Sequence, residues 1–142
     1  MTMTEKFKIL AKYIKDMSGE TKDVETYLFV KEKIAKYQLG IDITSKALKN
    51  KMIEVNTILK FEDKQENKKK SYFEINYSSI VKIDEDITEK KDLEKIILCD
   101  VQIEIYPKLE KSFLNLLHNS GYPDVKFEKK IDFDQLYSQR LN

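Results

Sequence analysis

Apolar and polar residues alternate at the start of the chain. Phe7, Ile9, Ala11 and Tyr13 alternate with Lys8, Leu10, Lys12 and Ile14, a period of two that predicts a strand. SGETKDVE, residues 18–25, supplies turn formers and opens a long connection. YLFVKEKIAKY, residues 27–37, carries two periods at once. Tyr27, Phe29 and Lys31 alternate, while Val30, Ile34 and Tyr37 recur at helical spacing, so strand and helix both stay open. Leu39, Ile41 and Ile43 predict a short strand stopped near Thr44-Ser45. Two longer strands follow. Ile53, Val55, Thr57, Leu59 and Phe61 share one face of residues 52–61. Phe73, Ile75 and Tyr77 share a face of residues 71–83, with Tyr72, Glu74 and Asn76 on the other. EDKQENKKK between them is polar and reads as a hairpin tip.

After Asp92 the period changes. Leu93, Ile96, Ile97, Val101, Ile105, Leu109, Phe113, Leu116 and Leu117 are spaced mostly by three and four, which predicts helix as far as His118. Pro107 removes a backbone donor and clashes with the preceding turn, so a break or kink is expected there, with 107–118 the firmer half. Gly121 and Pro123 form a stop signal. VKFEKKI reads as an extended linker. Asp132, with Gln135 three residues on, resembles a capping box for a last helix. Strands first and helices last define an α+β domain: a four-stranded antiparallel sheet with a long helix and a short C-terminal helix on one face.

Composition narrows the function classes. The chain has 142 residues, enough for a single domain with its own core, and 41% of them are hydrophobic. A formal net charge of +1 gives no field that would hold nucleic acid by itself. The lone cysteine, Cys99, forms no intrachain disulfide, and no apolar run approaches the ~18 residues that cross a bilayer. A cytoplasmic protein without membrane insertion is expected.

Reactive chemistry is sparse. The single histidine, His118, near a helix end, is the one candidate general base, and the bland alternative is a capping role. Cys99 and His118 together fall short of a zinc ligand set. Gly19, Gly40 and Gly121 make no phosphate-binding loop. The Lys68-Lys69-Lys70 tip, with Tyr72 and Phe73 beside it, suggests a nucleic-acid surface, but Glu62, Asp63 and Glu66 offset its charge. A binding protein without cofactor, metal or catalytic residue is the expectation.

Four segments carry a family resemblance. YIKDMSGE, residues 13–20, resembles the end of the first strand of the SecB family of bacterial protein-export chaperones. IDITSKALKNKMIEVNTILKF resembles its second and third strands, SYFEINYSSIVKI its fourth, and NSGYPDVKFEKKIDFDQLYSQRL the stretch joining its two helices. The resemblance runs from about residue 7 to residue 141, in order and at near-constant spacing. It implies a homotetramer, a dimer of dimers with the long helices at the interface. It also implies an ATP-independent holdase, not an enzyme, that keeps unfolded secretory precursors in the cytosol and delivers them to the SecA motor. A SecB-like chaperone dedicated to another client, such as an antitoxin, is the alternative within the family. A nucleic-acid-binding domain is the alternative outside it.

By that resemblance the client groove takes Tyr27, Phe29, Ile34, Tyr37, Leu39, Ile41, Leu136 and Tyr137, and the surface for SecA's basic tail takes Asp16, Glu20, Tyr72 and Glu74. Core packing is the competing role for the first set, and strand termination for Asp16. This chain departs from the family pattern with Gly19 in place of a phenylalanine, Ser78-Ser79 in place of a glycine pair, and a near-neutral charge.

Overall fold

Odd-numbered positions in the two central strands set the architecture. In β3 (Met52–Glu62) Ile53, Val55, Thr57, Leu59 and Phe61 are buried. In β4 (Tyr72–Ile83) Phe73, Ile75, Tyr77, Ser79, Val81 and Ile83 are buried. The computed structural model, which describes residues 6–140, pairs these strands so that Phe61 lies opposite Phe73 and Leu59 opposite Ile75. Outer strands β1 (Phe7–Glu20) and β2 (Gln38–Ala47) complete an antiparallel sheet in the order β1-β4-β3-β2.

β1 is longer than its sequence pattern predicts. Ser18, Gly19 and Glu20 are not a turn: they pair with Glu74, Phe73 and Tyr72. Ladder bonds to a central strand outweigh the turn preference of these residues. β1 also changes face. Register shifts between Ile9 and Ala11, and between Ile14 and Asp16, insert an extra residue each time. Phe7 and Ile9 therefore lie on the helix-covered side opposite buried Ile83 and Val81, whereas Ala11 and Tyr13 lie on the open side opposite Ile80 and Ser78.

Strands β1 and β2 lie at opposite edges, so the connection between them must cross the sheet. It does so as helix α1 (Val24–Lys33) and a 3-10 turn, Ile34–Lys36. The helical period of residues 27–37 wins because Thr26 and Val30 point inward, four residues apart. Asp23 caps the helix, its Oδ1 accepting from the Thr26 amide at 2.8 Å. That bond holds the Asp23 carboxyl below its ordinary pKa.

The long helix forms without a break at Pro107. It runs as α2 (Lys90–Lys95), a π-helical segment Ile96–Asp100, and α3 (Val101–Asn119). Pro107 and Ile103, the residue four before it, are both exposed, so the carbonyl that the proline leaves without a donor lies on the outer side of the helix rather than in the core. The irregularity lies upstream, in the π segment. There Gln102, fully buried, donates to the Ile97 carbonyl at 3.1 Å and accepts from Thr57 Oγ1 at 2.8 Å. Val101, Ile105, Leu109, Phe113 and Leu117 form one inward stripe with zero exposure. Each contributes roughly 1.5–3 kcal/mol by leaving water.

The helix ends in a Schellman motif. The Tyr122 amide donates to the Leu117 carbonyl at 3.2 Å and the Gly121 amide to the His118 carbonyl at 3.3 Å, with Gly121 at φ +103°. Gly19 lets this helix end close onto β1: a Cβ there would stand 3.3 Å from Leu116, Phe73 and Ser120. Beyond the linker, Asp132 caps α4 (Phe133–Arg140) by accepting from the Gln135 amide at 3.0 Å. Phe133 anchors α4 edge-on against Tyr106, with ring centroids 5.4 Å apart. Buried Cys99 donates to Asp134 at 3.0 Å. Burial first, and that bond second, push the thiol up to about 12, so it stays protonated at neutral pH.

Candidate functional site: an aromatic groove and an open sheet face

A groove of about 1340 Å³ runs between the outer edge of β2, the segment 121–131 and α4. Its floor is aromatic. Tyr37 packs on Phe61 (5.6 Å) and Phe61 on Phe127 (5.6 Å), and the fully buried Phe113 backs Phe127 from the core (6.1 Å). Tyr37 is almost fully buried; its hydroxyl accepts from the Ser71 amide at 3.0 Å, and burial raises its pKa. The phenol is thereby fixed as an apolar floor.

Ile34, Tyr37, Leu39, Ile41 and Leu136 all line this groove. Tyr27, Phe29 and Tyr137 do not. Tyr27 donates to the Gly121 carbonyl at 2.9 Å and stacks against Tyr122 at 5.4 Å, bracing the turn that forms one groove wall. Phe29 lies beneath the Lys33 ammonium, 5.9 Å from the ring centroid. Tyr137 donates to the Lys91 carbonyl at 3.2 Å and ties α4 to α2.

The sequence reading missed Phe61, Val125, Phe127 and Ile131 as groove residues. Their signal is the alternation of Val125 and Phe127 inside VKFEKKI, whose flanking charges predict only an extended linker. His118 explains the position of that segment. Its Nε2 lies 2.9 Å from the Val125 carbonyl, and because a carbonyl only accepts, Nε2 carries the proton. Lys31, Lys126, Lys129 and Lys130 rim the groove with Asp124, Glu128 and Asp132, so the charge at its mouth is mixed.

The chemistry available here is adhesion. A groove larger than most small-molecule pockets, with apolar floor and polar rim, offers non-directional burial to apolar side chains. β2 is an edge strand, and its outer backbone groups can pair with such a chain.

The second set of predicted residues sits on the face of the sheet without helices. Register places Glu20 opposite Tyr72, Ser18 opposite Glu74, and Asp16 opposite Asn76. Asp16, Glu20, Tyr72 and Glu74 therefore share one face at one end of two neighbouring strands. Tyr72 is 61% exposed, and Glu74 is paired with Lys60 at 3.4 Å.

The site is thus a groove along one edge of a helix-backed four-stranded antiparallel sheet. A solved structure shares that fold: the SecB-like chaperone of Mycobacterium tuberculosis in complex with a ChAD peptide from an antitoxin. It superposes with a TM-score of 0.63 at 13% identity, covering 88% of this chain and 91% of that one. The family model for the preprotein translocase subunit SecB matches residues 2–142. A putative protein-export protein SecB of Pelagibacter ubique is 64% identical over 140 residues, 99% of this chain and 100% of the relative. A protein-export protein SecB of Methylocella silvestris is 22% identical over 94% of this chain and 81% of its own length. The chain belongs to the SecB family. Among the described residues no helix is long and apolar enough to cross a membrane.

Proposed function

We propose that this protein is an ATP-independent holdase that binds unfolded secretory precursors in its groove in the cytosol and passes them to the SecA motor. The observation that carries the reading is the groove itself, with its aromatic floor from Tyr37, Phe61 and Phe127 alongside an unpaired strand edge. Burial of side chains supplies affinity without sequence preference, and backbone pairing to β2 adds bonds that any extended segment can make. Binding the unfolded state alone lowers its free concentration and so suppresses aggregation.

The acting unit is a homotetramer, a dimer of dimers. β1 is an edge strand fourteen residues long, with Leu10, Tyr13, Ile14 and Met17 each more than 40% exposed, and Ile103 on α3 is 52% exposed. A long apolar edge left open invites aggregation unless a second copy covers it. Asp16, Glu20, Tyr72 and Glu74 receive the basic tail of SecA, the carboxylates steering it and the tyrosine seating it.

The test is light scattering of a chemically unfolded model protein, without nucleotide. Stoichiometric protein is expected to hold scattering down, and failure to do so at several-fold excess refutes the holdase reading. Glu20→Lys with Glu74→Lys is expected to abolish SecA binding and leave client holding intact. Sedimentation is expected to give a mass of about four chains, and a strict monomer argues against the assembly.

A further inference from the structure

Beyond its acidic end, the open face of the sheet carries a cluster of polar side chains. Thr44, Asn56, Ser78 and Tyr13 lie opposite one another across β2, β3, β4 and β1, and Asp42, Ile58, Asn76 and Asp16 form the next row. Asn56 is only 9% exposed and Ser78 fully buried, although no helix covers this side. Asn56 Oδ1, Asn76 Oδ1 and Ser78 Oγ have no hydrogen-bond partner among the described residues. Buried polar atoms are paired in the great majority of cases, so these three orphans on the open side of β3 and β4, beside a fourth, Ser79 Oγ, on the helix-covered side, need a cause.

Two cations reach this area: Lys46, opposite Glu54 on β2, and Lys15, which bonds to Glu54. Lys15 is the extra residue at the second β1 register shift, and its ammonium meets Glu54 Oε1 on β3 at 3.1 Å. β4 lies between β1 and β3, so the Lys15 side chain straps across β4. The other Glu54 oxygen accepts from Asn56 Nδ2 at 3.5 Å, which leaves the amide oxygen without a donor. The Lys15 side chain is 43% exposed.

We propose that the docking face continues along β4 to this cluster, where an arginine or lysine of an extended basic peptide displaces Lys15 and bonds to the Asn56 and Asn76 amide oxygens and Ser78 Oγ. The proposal rests on the reading of Asp16, Glu20, Tyr72 and Glu74 as a docking surface and gives that surface a second anchor. The acceptors specify the ligand: two amide oxygens beside the Asp16 carboxylate call for a multidentate cationic donor. Tyr72 and Ser78 are six residues apart on one strand, about 20 Å, so a peptide of seven or eight residues spans both ends. Lys15 acts as an internal competitor that sets the threshold for binding.

The test is fluorescence anisotropy with a labelled eight-residue peptide of alternating arginine and valine, read alongside melting temperature. Asn56→Leu and Asn76→Leu are each expected to weaken binding by about tenfold or more, since bonds to a charged partner are among the stronger ones. Their melting temperatures should hold or rise, because an orphan acceptor is removed. Lys15→Met is expected to tighten binding severalfold, and more than Lys8→Met, which makes the same charge change near the other end of β1. If the asparagine variants bind like the unmodified protein while Glu20→Lys does not, the second anchor is wrong and the docking surface stands. If Lys15→Met fails to tighten binding, the displacement is wrong, whatever the asparagine variants do. If the unmodified protein does not bind the peptide, both readings fall.

Discussion

Gly121→Ala tests how the groove wall is held. Gly121 has φ +103°, and an added Cβ would stand 2.6 Å from Tyr27 Cε1 and 3.2 Å from Tyr27 Cζ and Oη. The backbone conformation alone costs alanine about 1–2 kcal/mol. The contact with Tyr27 then forces the ring away. That breaks the 2.9 Å bond to the Gly121 carbonyl, about 1 kcal/mol, and disturbs the Tyr27–Tyr122 pair, about another 1 kcal/mol. The expected loss is therefore about 3–4 kcal/mol. In a Tyr27→Ala background the steric part is already gone, and the same substitution should cost only about 1–2 kcal/mol. Urea unfolding of the four proteins in this cycle, at one fixed chain concentration because assembly couples to stability, gives the coupling energy. An equal cost in both backgrounds would refute the idea that Tyr27 props the turn. Suppression of client aggregation should fall with Gly121→Ala, because the displaced turn carries the Val125–Ile131 wall.

Other outcomes follow from the same geometry. Gly19→Phe overfills the contact with Leu116, Phe73 and Ser120 and should cost about 1–3 kcal/mol in urea unfolding, whereas Gly19→Ala, at 3.3 Å, should cost much less. Gln102→Leu strands Thr57 Oγ1 and the Ile97 carbonyl and should cost about 1–3 kcal/mol, with part of the loss recovered when Thr57→Val is added. Phe127→Ser should cut client affinity by stripping the middle of the aromatic floor while far-ultraviolet circular dichroism stays unchanged; retained aggregation suppression would exclude the floor as the client contact. Asp63 is held below its ordinary pKa of 3.8, chiefly by the Asn67 side chain. Its stabilising contribution is present above that ordinary value and is lost as pH falls through the lowered one. Asn67→Leu should raise the Asp63 pKa toward 3.8, as read by NMR titration.

Sequence periodicity determined which side of each central element is buried. The odd positions of β3 and β4, the stripe Val101–Leu117, the Asp132 cap and the Gly121 stop all follow from local rules, because a strand or helix must hide its apolar face whatever it packs against. The family could be read from four short segments because they resemble it in the same order and at near-constant spacing. Only the tertiary structure decided what those faces meet. The register shifts in β1 depend on pairing with β4 and move Ala11 and Tyr13 to the side opposite Phe7 and Ile9, which no alternation count reveals. Pro107 is tolerated on the exposed side of its helix, and residues 24–33 are helical because Thr26 and Val30 have a core to enter. The groove joins Tyr37, Phe61, Phe127 and Leu136 from four separate parts of the chain, so no local window contains it. Local sequence sets the direction in which a side chain points, and long-range pairing sets what it finds there.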